Sequence, residues 1–160
     1  MPNSAKKIIP LAGKAQEATR LLRADHKLVN DLFEQFESAR SSSKKQSLAI
    51  EICQELTIHA QIEEELFYPA VQVALKDKEL VPEAKVEHET LKSLIAQIEK
   101  ESPDSELWEA KVKVLSEYVK HHVKEEQNEL FPKVKASKLD LIELGMRLAE
   151  RKEALKAALK

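Results

Sequence analysis

Two segments of this chain share one pattern, and that pattern constrains the fold more than any other feature. In each segment a Glu follows a His by four residues and a Pro follows it by ten, from His59 to Pro69 and from His122 to Pro132. A lone His precedes each segment by 33 or 34 residues, at His26 and His88. Corresponding residues of the two halves are 62 or 63 positions apart. The sequence therefore predicts a duplicated pair of helices.

The four-residue spacing places each His and its Glu on one face of a helix, about 5–6 Å apart at Cβ. His59 and Glu63 can therefore point at one place, and so can His122 and Glu126. Neutral imidazole nitrogens and carboxylate oxygens are ligands for iron, zinc, manganese or copper. A carboxylate can also bridge two cations. The pattern thus indicates a metal site.

The composition favours a single helical domain. The chain has 160 residues, only 2 Gly and 6 Pro, and many Ala, Leu, Glu and Lys residues, which suits helices. Its formal net charge of −2 gives no reason to expect a nucleic-acid or membrane partner. The single cysteine, Cys53, excludes an internal disulfide, and no segment has the roughly 18–20 apolar residues of a membrane span. We therefore expect a cytoplasmic protein.

Apolar residues recur at helical spacing over several long stretches. The predicted helices cover residues 14–39, 45–75, 82–101 and 103–135, with a further amphipathic helix at 139–159. We expect Pro69 and Pro132 to kink or break their helices. Pro82 is predicted to occupy a first helical position. Ser102 is predicted to cap the fourth helix ahead of Pro103.

Four long helices with short connections predict an all-α, up-down-up-down four-helix bundle. We divide the chain into an N-terminal arm at residues 1–13, the bundle at 14–136 and a C-terminal amphipathic helix at 137–160. The last helix is expected to pack on the outside of the bundle, on a protein partner or on a second copy of the chain.

Six ionisable residues lie on helix faces that should point into the bundle. They are His26, His59, Glu63, His88, His122 and Glu126. A single His on an apolar face is usually a core residue with satisfied hydrogen bonds. Six such groups at one level are costly to bury unless they are paired or ligated, so the sequence predicts a bound cation among them.

Residues that flank these six are predicted to have other roles. His121 is one position off the inward face, so we expect it on the surface or beside a ligand. The carboxylates predicted to form a solvated face are Glu64, Glu65 and Glu125. The aromatic residues predicted to pack in the core and to shield the site from water are Phe67, Tyr68 and Phe131.

Taken together, these motifs resemble the hemerythrin-like, or HHE cation-binding, family over about residues 15–135. The matching landmarks are Asp25-His26, His59-x-x-x-Glu63 with Leu66-Phe-Tyr-Pro69, Glu87-His88, and His122-x-x-x-Glu126 with Leu130-Phe-Pro132. The resemblance implies a four-helix bundle that holds two iron ions with a bridging oxo or hydroxo ligand. It implies that one iron is bound by His26 and His59 and the other by His88 and His122, and that the bridging carboxylates are Glu63 and Glu126.

Two departures from the oxygen-carrying hemerythrins matter for function. Lys92 stands where the carriers have a further His, and Glu126 follows its His by four residues where the carriers have an Asp at five. The resemblance therefore does not imply reversible oxygen carriage, and it leaves open positions on both metals. No Glu stands three residues before any of the five His residues, which argues against a ferritin-type site.

The first functional hypothesis is a non-haem di-iron protein that interacts with dioxygen, peroxide or nitric oxide in sensing, stress protection or iron handling. The second is a binding or regulatory module in which the metals are structural, since zinc and manganese also accept His and Glu ligands. A degenerate site in a helical interaction protein is the third. The sequence shows no nucleophile–base pair, phosphate loop or cysteine zinc motif, so an enzyme is not predicted beyond a weak peroxide- or oxygen-dependent activity at the metals.

Overall fold

A computed structural model describes residues 16–159 of the chain, and the described residues form helices joined by short turns without a strand. These residues, 16–159, form seven α-helices and two π-helical turns. The α-helices are α1 Ala18–Ser38, α2 Ser42–Ile62, α3 Tyr68–Leu75, α4 Leu80–Lys100, α5 Trp108–Glu125, α6 Phe131–Ala136 and α7 Leu141–Ala158. The π-helical turns are π1 Glu63–Phe67, between α2 and α3, and π2 Glu126–Leu130, between α5 and α6.

The predicted all-α bundle is confirmed. The turns π1 and π2 join their flanking α-helices without a gap, so the bundle consists of four long helices. Helix α1 packs against α2 and α5, and α4 packs against α5 and α2. Each long helix therefore contacts its two neighbours around the bundle, as an up-down-up-down connection requires. The predicted arm at residues 1–13 and the predicted helix start at Lys14 lie outside the described residues.

The two prolines expected to disturb their helices act through the turns that precede them. The backbone N–H of Tyr68 donates to the carbonyl of Glu63, and that of Phe131 donates to the carbonyl of Glu126. These i→i+5 bonds widen each helix by one residue just before Pro69 or Pro132, which has no backbone N–H to donate. The chain then continues as a helix, so neither proline breaks it.

Three predicted helix starts were wrong. Helix α2 begins at Ser42, three residues before its predicted start, because the Ser41 hydroxyl accepts from the Lys44 N–H and caps the helix. The fourth long helix begins at Trp108, because Ser102 uses its hydroxyl to accept from the Asp104 N–H in a separate turn. Helix α4 begins at Leu80, two residues before Pro82. The Asp77 carboxylate accepts from the N–H groups of Leu80 and Val81, which satisfies the free donors at this helix end.

The core is divided into two hydrophobic clusters, with the six predicted site residues between them. One cluster contains Phe36, Ile52 and Trp108 at the end of the bundle that holds the α1–α2 turn. The other contains Phe67 and Phe131 and extends under α7. The apolar side chains of the two clusters border the site on both sides, and its six residues are buried between them.

Helix α7 lies on the outside of the bundle, against α1, α2 and π1. Its close approach depends on Gly145, since a Cβ there would lie 2.1 Å from the Gln16 carbonyl oxygen. Leu144 and Leu148 of α7 are buried. The C-terminal segment therefore covers the first half of the duplication. No described helix has the length and apolar character needed to cross a membrane.

Candidate metal centre

Four of the six predicted residues form a first buried cluster. Ligand atoms of His26, His59, Glu63 and Glu126 all lie within 4.8 Å of one another. His26 Nε2 is 3.2 Å from Glu126 Oε1, and His59 Nε2 is 3.3 Å from Glu63 Oε2. Two imidazole nitrogens and two carboxylates thus converge at one point between α1, α2 and the two π turns.

A second buried cluster adjoins the first and shares a carboxylate with it. Glu63, His88 and His122 place their ligand atoms within 4.8 Å of one another. His88 Nε2 is 3.1 Å from Glu63 Oε1, and His122 Nε2 is 3.5 Å from Glu126 Oε2. Both glutamates therefore use one oxygen toward each pair of histidines. The structure brings all six predicted residues together, in the two pairs that the resemblance implied.

The orientation of the first two histidines is set by groups behind their rings. His59 Nδ1 lies 2.9 Å from Asp25 Oδ2, and His26 Nδ1 lies 2.7 Å from Gln127 Oε1. An oxygen acceptor at Nδ1 favours the proton on that nitrogen and leaves the Nε2 lone pair free. The free lone pairs of both rings then face the first cluster.

The second pair of histidines is held in the same way. His122 Nδ1 lies 2.6 Å from Glu87 Oε1, and His88 Nδ1 lies 2.7 Å from Glu64 Oε2. Glu64 was predicted to belong to a solvated face, and this was wrong because its carboxylate reaches back to His88. All four histidines thus present Nε2 inward, which is the arrangement of metal-ligating imidazoles.

These outer acceptors follow the duplication and could have been sought from it. Each one stands next in sequence to a predicted ligand. Asp25 and Glu87 precede the lone histidines, and Glu64 and Gln127 follow the shared glutamates. The same 62- or 63-residue offset relates each pair, so the repeat duplicates the supports of the histidines as well as the histidines themselves.

Four buried atoms at the centre have no hydrogen-bond partner among residues 16–159. They are His26 Nε2, His59 Nε2, Glu63 Oε2 and Glu126 Oε1. Unpaired buried polar atoms are costly and therefore uncommon. A cation accepts lone pairs from both nitrogen and carboxylate oxygen, so a metal ion fits this donor set and would satisfy all four atoms.

The charges at the centre also favour a cation. Burial alone would lower the pKa of His122, but hydrogen bonds to Glu126 and Glu87 outweigh burial and raise its pKa to about 10. Burial likewise opposes protonation of His59, yet Glu63 and Asp25 raise its pKa. Without a metal, protons on these histidines therefore supply the positive charge beside the carboxylates. A binding cation must displace those protons.

Comparison with known proteins identifies the family. A family model described as the hemerythrin HHE cation-binding domain matches residues 17–134. The chain belongs to the hemerythrin HHE cation-binding family. A crystal structure of an HHE cation-binding-domain protein from Mycobacterium kansasii is similar, with a TM-score of 0.76, 26% sequence identity and coverage of 89% of each chain.

A second similar protein is a DNA nickase from the cyanobacterium Nostoc sp. The two are 31% identical over 115 residues, which cover 72% of this chain and 32% of the nickase. This chain therefore spans about a third of the length of that relative. The shared segment is long enough to hold most of an HHE bundle.

One residue of the HHE centre was missed in the sequence analysis. Tyr68 was assigned to core packing, and its ring is indeed fully buried. Its hydroxyl, however, lies 2.6 Å from Glu126 Oε2, 3.0 Å from Glu63 Oε1 and 3.2 Å from His88 Nε2. A hydroxyl has one proton to donate, and the shortest contact assigns that proton to Glu126. Tyr68 thus places a polar group within the second cluster.

The corresponding residue in the other half of the HHE bundle is Phe131, which has no hydroxyl. Its ring stacks on His26, with centroids 6.1 Å apart and planes 8° from parallel. Phe67 is also fully buried and packs edge-on against Phe131. The predicted packing role is confirmed for both phenylalanines.

Lys92 and His121 lie outside the two clusters. Lys92 Nζ is 2.7 Å from Glu64 Oε1, so the lysine that replaces the carriers' histidine contacts an outer support. The His121 side chain is 62% exposed, and its Nε2 lies 3.6 Å from Glu87 and 3.5 Å from Glu125. His121 therefore matches its prediction as a surface residue beside a group that contacts a ligand.

Proposed function

We propose that this chain binds two iron ions and interacts with dioxygen, peroxide or nitric oxide, in sensing, stress protection or iron handling. One observation carries the proposal. Four histidines, each held at Nδ1, direct Nε2 toward two shared carboxylates, and four of the converging buried atoms have no hydrogen-bond partner in the described part of the chain. Membership of a cation-binding family supports the same conclusion.

Each half of the duplication would supply one pair of histidines. His26 and His59 would hold one cation, and His88 and His122 the other. Glu63 and Glu126 would contact both, since each has one oxygen toward each pair. When bound, iron would supply redox chemistry toward small oxygen and nitrogen species. Zinc or manganese would fit the same donors without giving the same reactivity.

The protein's own residues orient the imidazole rings, shield the centre from water and supply a proton to it. The outer acceptors keep the imidazole rings in one tautomer. Phe67 and Phe131 have no exposed surface and close the centre toward α7. Tyr68 holds a proton between Glu63 and Glu126 at its Oη atom. These residues would keep bulk water away while leaving one hydroxyl donor at the second pair.

Elemental mass spectrometry of the chain, purified without added metal, tests the proposal. We expect about two irons per chain, as in other dinuclear helical bundles. His59→Ala and His122→Ala should each lower the metal content by about one ion or more, because each removes a ligand of a different pair. His121→Ala is the matched control, since it replaces the adjacent histidine, which contacts neither cluster.

Any of three results would count against the proposal. Zinc as the dominant metal would leave the ligand set intact but remove the redox role. Unchanged metal content in both histidine variants would remove the site itself. If iron is present, the absence of any spectral change with dioxygen, peroxide and nitric oxide would reject the reactivity.

A second candidate function is a metal-dependent binding module, and one contact favours it. Lys152 of α7 pairs with Asp25, which in turn supports His59. Metal bound at His59 would therefore be coupled to the docking of α7 through two hydrogen bonds. We expect chelation to lower the melting temperature and to increase hydrogen exchange in residues 141–158. Unchanged exchange after verified metal removal would reject this candidate.

The likeness to a DNA nickase does not extend the proposal to DNA. The chain spans about a third of that protein, and its net charge of −2 offers no overall attraction to phosphates. The absence of a nucleic-acid partner and the cytoplasmic location both stay predictions. Conversion of supercoiled plasmid to its nicked form by the iron-loaded chain would overturn the first of them.

A further inference from the structure

A cavity of about 300 Å³ lies on the histidine side of the metal centre. Its floor is formed by the rings of His26, His59, His88 and His122. Its walls are aliphatic side chains from all four long helices: Val29, Leu56, Leu91, Ile95, Val119 and Val123. The cavity therefore presents an almost wholly apolar surface one ring away from the predicted metals.

This cavity is distinct from the space that the cations would take. Glu63, Glu126 and Tyr68, which surround that space, do not line it. A cation would lie between the Nε2 atoms and the carboxylates, whereas the cavity extends from the rings toward Leu56 and Ile95. Bound metal would therefore leave it open.

The size of the cavity indicates what it can hold. An engineered apolar cavity of about 150 Å³ stays dry and binds benzene, and pockets for small organic ligands begin near 300 Å³. Dioxygen, peroxide and nitric oxide each have two heavy atoms and would fill only a small part of 300 Å³. A monocyclic or bicyclic organic molecule would fill it.

The opening of the cavity explains why the ligand should be neutral. The exposed residues that line the cavity are Thr57 of α2 and Lys92 of α4, so the opening lies between these two helices, beside the half-buried Ala60 and Gln61. The Lys92 ammonium is already paired with Glu64 at 2.7 Å, so the rim offers no free charge to a ligand. Asp25, at the inner wall, is likewise paired with Lys152. A charged ligand would lose hydration without gaining a partner.

We propose that this cavity binds a neutral, apolar organic molecule the size of one or two fused rings, next to the metal centre. Binding itself depends on the aliphatic walls and not on iron. A role for the ligand as a substrate or regulator of the metals rests on the function proposed above.

Titration of benzene and indole into the full-length chain tests binding directly. The protein carries ¹³C-labelled methyl groups and is studied both free of metal and loaded with zinc. We expect saturable shifts of the Val29, Leu56 and Ile95 methyl signals in both forms, and none for Leu144 and Leu148 under α7. Zinc replaces iron so that the readout does not depend on redox activity.

Two variants with the same chemical change separate the cavity from the rest of the bundle. Ala60→Phe places a ring in the opening, whereas Ala96→Phe adds the same ring at another half-buried position, on α4 and away from the cavity. We expect Ala60→Phe to weaken indole binding by at least about tenfold and Ala96→Phe to leave it unchanged. Ile95→Phe, which fills the wall, serves as a second blocking variant if Ala60→Phe fails to fold.

The outcomes distinguish this inference from the proposed function. No saturable shift with either probe, or equal weakening by Ala60→Phe and Ala96→Phe, would overturn the cavity site even if two irons bind. Failure to bind metal, with normal indole binding, would overturn the proposed function and leave the cavity site standing.

Discussion

The first half of the duplication, residues 18–75, is covered by α7, whereas no helix among residues 16–159 covers the corresponding surface of the second half, residues 80–136. We call these the covered half and the open half. The covered half has Ile58 and Ile62 at the positions where the open half has His121 and Glu125. Both isoleucines are buried, and His121 is exposed. A duplicated helix pair has thus retained its inner face while its outer face has adapted to a different neighbour.

The groups that contact the two corresponding outer acceptors, Asp25 and Glu87, differ between the halves. In the covered half, Lys152 of α7 pairs with Asp25. In the open half, Glu87 is approached only by His121 and Glu125 besides His122 among the described residues. The support of one histidine therefore depends on a separate helix, and the support of its counterpart depends on solvent-exposed groups of the bundle.

The outer acceptors that contact His26 and His88 also differ. His26 is supported by the neutral amide of Gln127, whereas His88 is supported by the carboxylate of Glu64. A carboxylate partner makes an imidazole a stronger donor to a metal. The six ligands are symmetric but their supports are not, so the two metal positions should differ in affinity.

The largest expected effect comes from making the two aromatic positions alike. Tyr68→Phe gives the first half the residue that the second half has at Phe131. Because the hydroxyl contacts Glu126 and Glu63, the metal-free protein should lose about 2 kcal/mol of unfolding free energy. The loss should be smaller with zinc bound, since the cation then neutralises both carboxylates. Urea unfolding of both forms measures this, and an equal loss in each would contradict it.

The next effect tests the difference between the histidine supports. Glu64→Gln gives the first half the amide that the second half has at Gln127. Because Glu64 supports His88, the change should weaken binding of the metal held by His88 and His122 by about tenfold. Gln127→Glu is the reciprocal change, and it should strengthen binding of the metal held by His26 and His59. Competition of the protein with a coloured zinc chelator measures both affinities. Two equal affinities in the unaltered chain, unchanged by either variant, would show that the supports do not set the asymmetry.

A smaller effect is expected where α7 meets the covered half. Lys152→Met keeps the length of the side chain but removes the ammonium that pairs with Asp25. The unfolding free energy should fall by about 1 kcal/mol, because Asp25 keeps its hydrogen bond from His59. Lys156→Met is a control, since Lys156 contacts Glu55 only at 3.8 Å. Thermal unfolding that is equally affected by both variants would argue against a specific role for the Lys152 contact.

The parts of this molecule that sequence could predict are those fixed by regular helical spacing. The apolar periodicity located the long helices, and the four-residue spacing placed each His and Glu together. Both depend only on 3.6 residues per turn. The pairing of His26 with His59 and of His88 with His122 needed the family resemblance, because the order of helices around a bundle is not local information.

The parts that sequence missed depend on the two π turns. Tyr68 follows Glu63 by five residues, which in a straight α-helix places it well off the inward face. In π1 the hydrogen bond runs from Tyr68 to Glu63, so residues five apart come onto one face. A helical wheel drawn through Pro69 therefore has the wrong register after Glu63.

The smallest expected effect is at His121, and it sharpens the comparison by showing where the site ends. His121→Ala removes an imidazole next in sequence to His122. The His121 side chain is 62% exposed, and its ion-pair contacts within residues 16–159 are with Glu87 and Glu125, each at 3.5 Å or more. We expect the metal content to stay the same and the unfolding free energy to change by less than about 0.5 kcal/mol. His122→Ala, by contrast, should lose metal. A loss of metal in His121→Ala would instead mean that the exposed cluster of Glu87, His121 and Glu125 controls the orientation of His122. The open half would then depend on its own surface residues, as the covered half depends on α7.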